Sequence, residues 1–205
     1  MESVIFETYF ENTVTAAIKY QEVTEKMGCN IAIDGPAGAG KSTIAKKVAK
    51  ELSFIYVDTG AMYRAVALYL LKNKIQGADT QAVADNCQKA QVSLRYENGE
   101  QVVILNGENV NQYIRTEEVG NMASRTSANP AVRAHLLNLQ RNLAAKNDVV
   151  MDGRDIGTNV LPRADVKVFL TADARTRAKN DGMMNLLPKE FPVIWMKSSR
   201  ISGEG

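Results

Sequence analysis

The sequence predicts an α/β fold in which helices flank a parallel sheet and a small antiparallel β insert interrupts the chain. Three observations lead to this prediction. Short apolar runs alternate with segments of helical periodicity over residues 29–72, and such alternation is typical of parallel sheets. Two Asn-Gly pairs near residue 100 follow β-prone runs and indicate hairpins. Further apolar runs after residue 147 predict additional buried strands.

The first part of the predicted core covers residues 29–89. Its helices carry apolar residues three and four positions apart, as expected for one buried face. The predicted elements are, in order, a strand over 29–34, a helix over Lys41–Leu52, a strand over Phe54–Val57 and a helix over Ala61–Lys72. Residues 1–28 lack a clear period, so we expect an extension outside the core; a docked helix over Thr15–Lys26 is the alternative.

The antiparallel insert is predicted over residues 90–115. Its β-prone runs, Val92–Glu97 and Gln101–Leu105, are each followed by an Asn-Gly pair. Asn-Gly favours a tight hairpin because both turn residues must accept positive φ. The core resumes over residues 116–178. Its predicted elements are a helix starting at Asn129-Pro130 and strands over 148–152 and 166–170.

The composition is that of an ordinary globular protein, with 45% hydrophobic and 23% charged residues among 205. A net charge of +2 is too small to indicate a nucleic-acid or membrane partner. No apolar run approaches the ~20 residues that a bilayer-spanning helix needs, and the first residues do not resemble a secretory signal. The two unpatterned cysteines, Cys29 and Cys87, favour a reducing compartment. We therefore expect a cytoplasmic protein. A monomer is expected as well, although the sequence itself does not determine the oligomeric state.

A complete phosphate-binding loop motif, G-x-x-x-x-G-K-[ST], occupies residues 35–42 between the first predicted strand and helix. Its glycines let successive N–H groups face one anion, and the helix N-terminus adds positive charge. The side chain of Lys41 is suited to the β- and γ-phosphates of ATP, and the Ser42 hydroxyl to Mg²⁺. The alternative is a plain glycine-rich turn. The predicted ATP-binding residues are Gly35, Pro36, Ala37, Gly38, Ala39, Gly40, Lys41, Ser42 and Thr43.

Three motifs in order resemble those of bacterial cytidylate kinases: residues 33–38, 57–64 and 152–158. The resemblance extends over residues 29–178. It implies a fold of the P-loop NTPase type and transfer of the ATP γ-phosphoryl group to CMP or dCMP with Mg²⁺. Regulatory GTPases read guanine with an Asn-Lys-x-Asp segment, which the sequence lacks. Another small-molecule P-loop kinase is an alternative.

The resemblance also implies an acceptor-nucleotide site and a catalytic pair, Lys41 and Arg154. Arg154 and Arg64 would bind the acceptor phosphate, for which a bidentate guanidinium is well suited. The Asp155 carboxylate would accept a hydrogen bond from the cytosine amino group and repel the carbonyl of uracil. For Arg133 a surface salt bridge is the alternative to contact with cytosine. The implied acceptor residues are Thr59, Tyr63, Arg64, Ser124, Arg133, Arg154 and Asp155.

Three further polar residues have less specific patterns. Asp152 ends an apolar strand and is a second candidate ligand for Mg²⁺, beside Ser42; a cap on the following turn is the alternative. Asp34 is interpreted as structural. His135, on a leucine-rich helix, is interpreted as a packing or surface residue, because phosphoryl transfer requires no histidine.

After Lys179 the sequence departs from the family. The resemblance implies an arginine-rich lid and a last core strand and helix, whereas residues 179–205 contain one arginine, two prolines and a Met-Met pair. A shift of the reading frame would explain this departure. When each codon of the tail is read from its last base, one consistent choice of synonymous codons encodes a sequence that resembles the family's lid. A natural divergent tail is the alternative.

The departure of the tail from the family predicts a defect in both the sheet and the kinase activity. We expect the lid and the last core strand to be missing and the strand at 166–170 to form an exposed edge, which favours aggregation. The chain is then expected to be an impaired kinase. A catalytically inactive nucleotide-binding fragment is the alternative function.

Overall fold

The computed structural model describes residues 28–97 and 100–171, together with the backbone of residues 193–196. The chain divides into two compact units. We call them the sheet unit, formed by Met1–Val57 and Leu143–Gly205, and the insert unit, formed by Asp58–Asn142. Three expectations lie outside the described residues: the extension or helix before residue 28, the Asn98-Gly99 turn, and the lid.

The elements follow the predicted alternation. In chain order the strands are β1 (Asn30–Asp34), β2 (Ile55–Asp58), β3 (Val92–Glu97), β4 (Glu100–Leu105), β5 (Glu108–Asn109), β6 (Val149–Gly153), β7 (Val166–Leu170) and β8 (Val193–Met196). The helices are α1 (Lys41–Leu52), α2 (Thr59–Lys72), α3 (Thr80–Cys87), α4 (Glu117–Thr126) and α5 (Pro130–Lys146), and a π-helical turn spans Ile156–Val160. The predicted strands and helices are therefore confirmed, with ends that shift by one or two residues.

The sheet unit is built on a five-stranded sheet in the order β2-β6-β1-β7-β8. Central strand β1 pairs in parallel with β6 and β7, so that Ile33 lies opposite both Asp152 and Val168. Strands buried on both faces are continuous apolar runs rather than alternating ones. Ile31 and Ile33 accordingly have no exposed surface. The predicted parallel sheet of the P-loop type is confirmed.

Helix α1 packs on β1 and β6 through a single apolar face. The residues of that face that the periodicity predicted are all buried: Ile44, Ala45, Val48, Ala49 and Leu52. Each large aliphatic side chain buried in this way contributes about 1.5–3 kcal/mol. The helix ends where Ser53 takes a left-handed conformation with φ of 57°. This packing holds the start of α1 against the carboxyl ends of the central strands.

Strand β8 overturns one prediction. The sequence predicts that Val166–Leu170 forms an exposed edge, and this is wrong, because the backbone of Val193–Met196 pairs with it antiparallel, Leu170 opposite Val193. The run Val-Ile-Trp at the start of β8 is β-prone, which favours a strand at this position. Pairing satisfies main-chain groups of β7 that would otherwise invite association with other chains.

The insert unit contains an antiparallel three-stranded sheet in the order β3-β4-β5. Between β4 and β5, Asn106 and Gly107 have φ of 50° and 89°, the positive values that the Asn-Gly pair predicted. Helix α5 begins as predicted, because the Asn129 side chain accepts a hydrogen bond from Ala131 N at 2.9 Å.

Helices α3 and α4 were not anticipated from the sequence. Each begins at a capping side chain: Asp79 accepts from Ala82 N at 2.9 Å, and Thr116 from Val119 N at 3.4 Å. Glu117 and Glu118 in the first turn of α4 also complement the positive N-terminus of the helix. The available sequence signal was thus a capping residue before each helix and, for α4 alone, the acids that follow it.

Candidate functional site

The glycine-rich loop connects β1 to α1 through three backbone conformations that favour glycine. Gly35, Gly38 and Gly40 have φ of 149°, 71° and 81°. At Gly35 a Cβ atom would also overlap the main-chain carbonyl oxygen of Leu170, whereas at Gly40 it would meet nothing within 4 Å. Glycine is therefore required at position 35 for two reasons, the backbone conformation and the close approach of Leu170. At position 40 it is required for the backbone conformation alone.

This difference predicts that alanine substitutions at the two glycines lower the free energy of unfolding by unequal amounts. Gly35→Ala is expected to lower the free energy of unfolding by at least ~3 kcal/mol, since overpacking against backbone adds to the conformational strain. Gly40→Ala is expected to cost only ~1–2 kcal/mol, the strain of a left-handed alanine. Urea unfolding of both variants measures this. Equal losses would contradict the assigned close approach.

The predicted ATP-binding residues form one continuous segment, residues 35–43, at the carboxyl end of β1 and the start of α1. The first N–H groups of a helix lack intrahelical partners and point toward any anion bound there. The Lys41 ammonium lies over the loop, with Nζ donating to the Pro36 carbonyl oxygen at 2.7 Å. The loop can therefore surround a phosphate with N–H donors and the Lys41 ammonium.

Ser42 and Asp152, the two predicted Mg²⁺ ligands, lie in contact. Ser42 Oγ donates to Asp152 Oδ2 at 2.7 Å, although the residues are 110 positions apart. Asp152 is buried near the end of β6. Its other oxygen, Oδ1, accepts from the Tyr56 hydroxyl at 3.2 Å. Tyr56 was not predicted, because a strand tyrosine gives no sequence signal for such a role.

The Ser42–Asp152 pair suits a magnesium ion better than a metal whose ligands all come from the protein. Within residues 28–97 and 100–171, no three His, Cys, Asp or Glu side chains could hold a metal together. Mg²⁺ in phosphoryl-transfer sites uses one or two protein oxygens, and phosphates and water complete its octahedron. A hydroxyl and a carboxylate beside a phosphate loop suit that arrangement.

Asp34, interpreted as structural from the sequence, lies under the turn that follows β6. Its two carboxylate oxygens accept from Ile156 N and Gly157 N, each at 2.7 Å. Burial raises the pKa of the Asp34 carboxyl and nearby Asp155 adds to the rise, whereas the two N–H bonds and Lys41 lower it. The carboxylate thus joins the end of β1 to a segment 122 residues away.

Arg154 and Asp155 directly follow β6 and precede the π-helical turn. Arg154 is exposed and Asp155 is half-buried. The Asn159 side chain donates to Asp155 Oδ2 at 2.8 Å, and Asn159 N donates to the Asp155 carbonyl oxygen at 2.9 Å. Asn159 therefore orients a residue that the sequence predicted for base recognition, through a contact that only the turn creates.

The other predicted acceptor residues lie in the insert unit. Thr59 is buried at the first position of α2, and Tyr63 and Arg64 follow one turn later. Ser124 is exposed on α4, and Arg133 is half-buried in the first turn of α5. Of the seven predicted residues, these five belong to the insert unit, and Arg154 and Asp155 belong to the sheet unit.

Asp58 organises the start of α2. Its Oδ1 accepts from Ala61 N at 2.9 Å, and its Oδ2 accepts from Arg115 Nη2 at 2.6 Å. Its N–H donates to the Gln101 side chain at 2.9 Å. Strand β4 and the segment before α4 therefore support the helix that carries Tyr63 and Arg64. Sequence patterns gave no signal for Arg115 or Gln101.

His135, Cys29 and Cys87 are not among the predicted site residues. His135 bonds the Ala90 carbonyl oxygen at 2.8 Å, a packing role as expected. Cys29 and Cys87 are free thiols buried in their units. Among the residues that the structure describes, no helix is both long and apolar enough to cross a membrane.

Comparisons with known proteins match this geometry to one family. The family model for cytidylate kinase matches residues 31–183. The cytidylate kinase of Lactobacillus gasseri is 48% identical over 159 residues, which cover 76% of this chain and 69% of the relative. That of Caldicellulosiruptor bescii is 51% identical over 150 residues, covering 73% and 66%. That of Carboxydothermus hydrogenoformans is 49% identical over 165 residues, covering 80% and 74%.

The matched segment spans about two thirds to three quarters of the length of these relatives. It contains the phosphate-binding loop, the Ser42–Asp152 pair and the Arg154-Asp155 turn. The chain therefore belongs to the cytidylate kinase family, a family of ATP-dependent kinases.

Proposed function

We propose that this protein transfers the γ-phosphoryl group of ATP to CMP or dCMP and releases ADP with CDP or dCDP. The observation that supports it most is the Ser42 Oγ–Asp152 Oδ2 contact of 2.7 Å beside an intact phosphate loop. That pair has the chemistry needed for a Mg²⁺ ion bound with nucleotide phosphates. Relatives about half identical to the chain bear the name cytidylate kinase.

The reaction as proposed needs little covalent help from the protein. An oxygen of the CMP phosphate attacks the γ-phosphorus, and the bond from that phosphorus to the ADP oxygen breaks. The attacking phosphate is already ionised, so positioning and charge stabilisation provide most of the catalysis. Lys41 would neutralise the β- and γ-phosphates, and Mg²⁺, held by Ser42 and Asp152, would neutralise their charge further.

We propose that the seven predicted acceptor residues bind different parts of the CMP molecule. Arg64 and Arg154 would bind the CMP phosphate, and Arg154 would also stabilise the transferring group. Thr59 and Tyr63 would also contact the acceptor nucleotide. Ser124, Arg133 and Asp155 would read cytosine, with Asp155 accepting from the exocyclic amino group.

The proposed base selection is tested by Asp155→Asn. Cytosine offers an amino donor where uracil has a carbonyl, so removing the carboxylate should reduce the preference for CMP over UMP by roughly tenfold or more. Leaving a buried polar group unpaired costs ~1–3 kcal/mol. The measurement is the ratio of kcat/KM for the two nucleotides. Asp148→Asn is the control, because Asp148 bonds Cys29 N at 2.6 Å and has no proposed substrate role. An unchanged ratio in Asp155→Asn would refute the assignment.

A second candidate function is nucleotide binding without turnover. It is favoured by the single arginine in residues 179–205, where the family resemblance implies several. Coupled detection of ADP and direct detection of CDP, with the same protein titrated by ATP and by CMP, separates the two functions. Turnover above a Lys41→Ala control supports the kinase, and binding of both nucleotides without turnover supports the second function.

We further propose a cytoplasmic, monomeric protein. Free thiols at Cys29 and Cys87 suit a reducing compartment. Light scattering of the purified chain tests the oligomeric state.

A further inference from the structure

We propose that Asp34 is a positioning residue for acceptor binding: its carboxylate clamps the main chain at Ile156 and Gly157 and so fixes Arg154 and Asp155. This inference rests on the proposed function, because it takes Arg154 and Asp155 as acceptor-binding residues.

The clamp consists of two short hydrogen bonds to one buried carboxylate. Ile156 N lies 2.7 Å from Asp34 Oδ1, and Gly157 N lies 2.7 Å from Asp34 Oδ2. N–H groups at the start of a helical turn have no partner within it. A carboxylate that accepts two of them forms charge-assisted bonds, which are stronger than neutral ones. Asp34 is only 8% exposed, so water competes little for these bonds.

Gly157 shows that the turn lies directly against the carboxylate. A Cβ atom there would be 3.3 Å from Asp34 Oδ2 and 3.2 Å from Lys167 Cδ. Both distances are tighter than ordinary packing, so even a methyl group must displace a neighbour. A glycine at this position therefore lets the main chain of the turn lie this close to the carboxylate without displacing it.

The location of the clamp gives it a role beyond stability. Asp34 directly precedes Gly35 of the phosphate loop, and its partners directly follow Arg154 and Asp155. One carboxylate thus connects the donor loop to the proposed acceptor residues through two side-chain to main-chain bonds. Because a displacement of about 1 Å in a reacting group can cost ~10²-fold in rate, such a connection is expected to affect substrate binding.

The test is Asp34→Asn, which presents an amide N–H₂ to one of the two main-chain donors. Amide hydrogen exchange at Ile156 and Gly157 is expected to become at least about tenfold faster, since one bond is lost. The Kd for CMP, measured by calorimetry on the whole chain, is expected to rise about tenfold. The Kd for ATP is expected to rise clearly less, because the loop residues keep their contacts.

Asp165→Asn is the matched control. Asp165 is also buried, and its Oδ2 accepts from Asn30 N at 2.7 Å, at the opposite end of β1. Four residues of strand separate the two sites by ~13 Å. This variant is expected to lose comparable stability with an unchanged Kd for CMP. If both variants weaken CMP binding equally, Asp34 has only a structural role and the proposal is overturned.

Gly157→Ala supplies a milder variant that retains the charge of Asp34, should Asp34→Asn fail to fold. It is expected to speed exchange at Ile156 and Gly157 and to weaken CMP binding severalfold, in the same direction. Unchanged exchange in both variants would overturn the clamp. Failure of the unmodified chain to bind CMP would instead contradict the proposed function, so the two failures are distinct.

Discussion

Replacing residues 179–205 with the frame-restored, arginine-rich lid and the last strand and helix of a relative is expected to raise the rate of CMP phosphorylation by ~10³-fold or more. An arginine that stabilises the transferring phosphoryl group is worth ~10³–10⁵ in related systems. The tail of this chain, residues 179–205, supplies one arginine, at position 200. Steady-state kcat for both chains, at saturating ATP and CMP, measures the effect.

The control for this replacement is the melting temperature of both chains. Because β8 already pairs with β7, the repaired chain is expected to gain far less in stability than in rate. Equal kcat in the two chains would show that the lid is dispensable and that the tail is not an impairment. A rate increase explained entirely by a larger folded fraction would likewise contradict a chemical role for the lid.

Lys41→Ala is expected to lower kcat by ~10²–10³-fold and to abolish the rise in melting temperature that ATP induces. Removing one preorganised charge or donor at a reacting centre commonly has that cost. The ammonium group is the one cation of the loop motif, residues 35–42, and it already bonds a loop carbonyl at 2.7 Å. Kinetics and thermal unfolding with and without ATP measure both effects.

Lys50→Ala is the matched control, since Lys50 is an exposed lysine in the last turn of the same helix. It removes the same charge from α1 and is expected to leave both rate and ATP response unchanged. An ATP-induced shift that persists in Lys41→Ala would rule out the phosphate loop as the nucleotide site.

Much of this protein was predictable from sequence because its chemistry depends on local patterns. The phosphate loop is one continuous segment, and its strand and helix follow from the buried runs and the 3.6-residue period on each side. The Asn106-Gly107 turn was predictable for the same reason: two adjacent residues determine positive φ. The family motifs then indicated candidate residues for binding the acceptor nucleotide.

Only the tertiary structure determined which distant groups contact one another. Ser42 with Asp152, and Asp34 with Ile156, are pairs separated by more than a hundred residues. Neighbouring parallel strands bring their carboxyl ends together whatever lies between them in the chain, and no periodicity within either strand encodes its partner. The prediction of an exposed edge at β7 was wrong for the same reason, because strand pairing is not encoded in the periodicity of either strand. Whether β7 is exposed depends on the pairing of Val193–Met196, and hydrogen bonds between strands depend on main-chain groups that every sequence possesses.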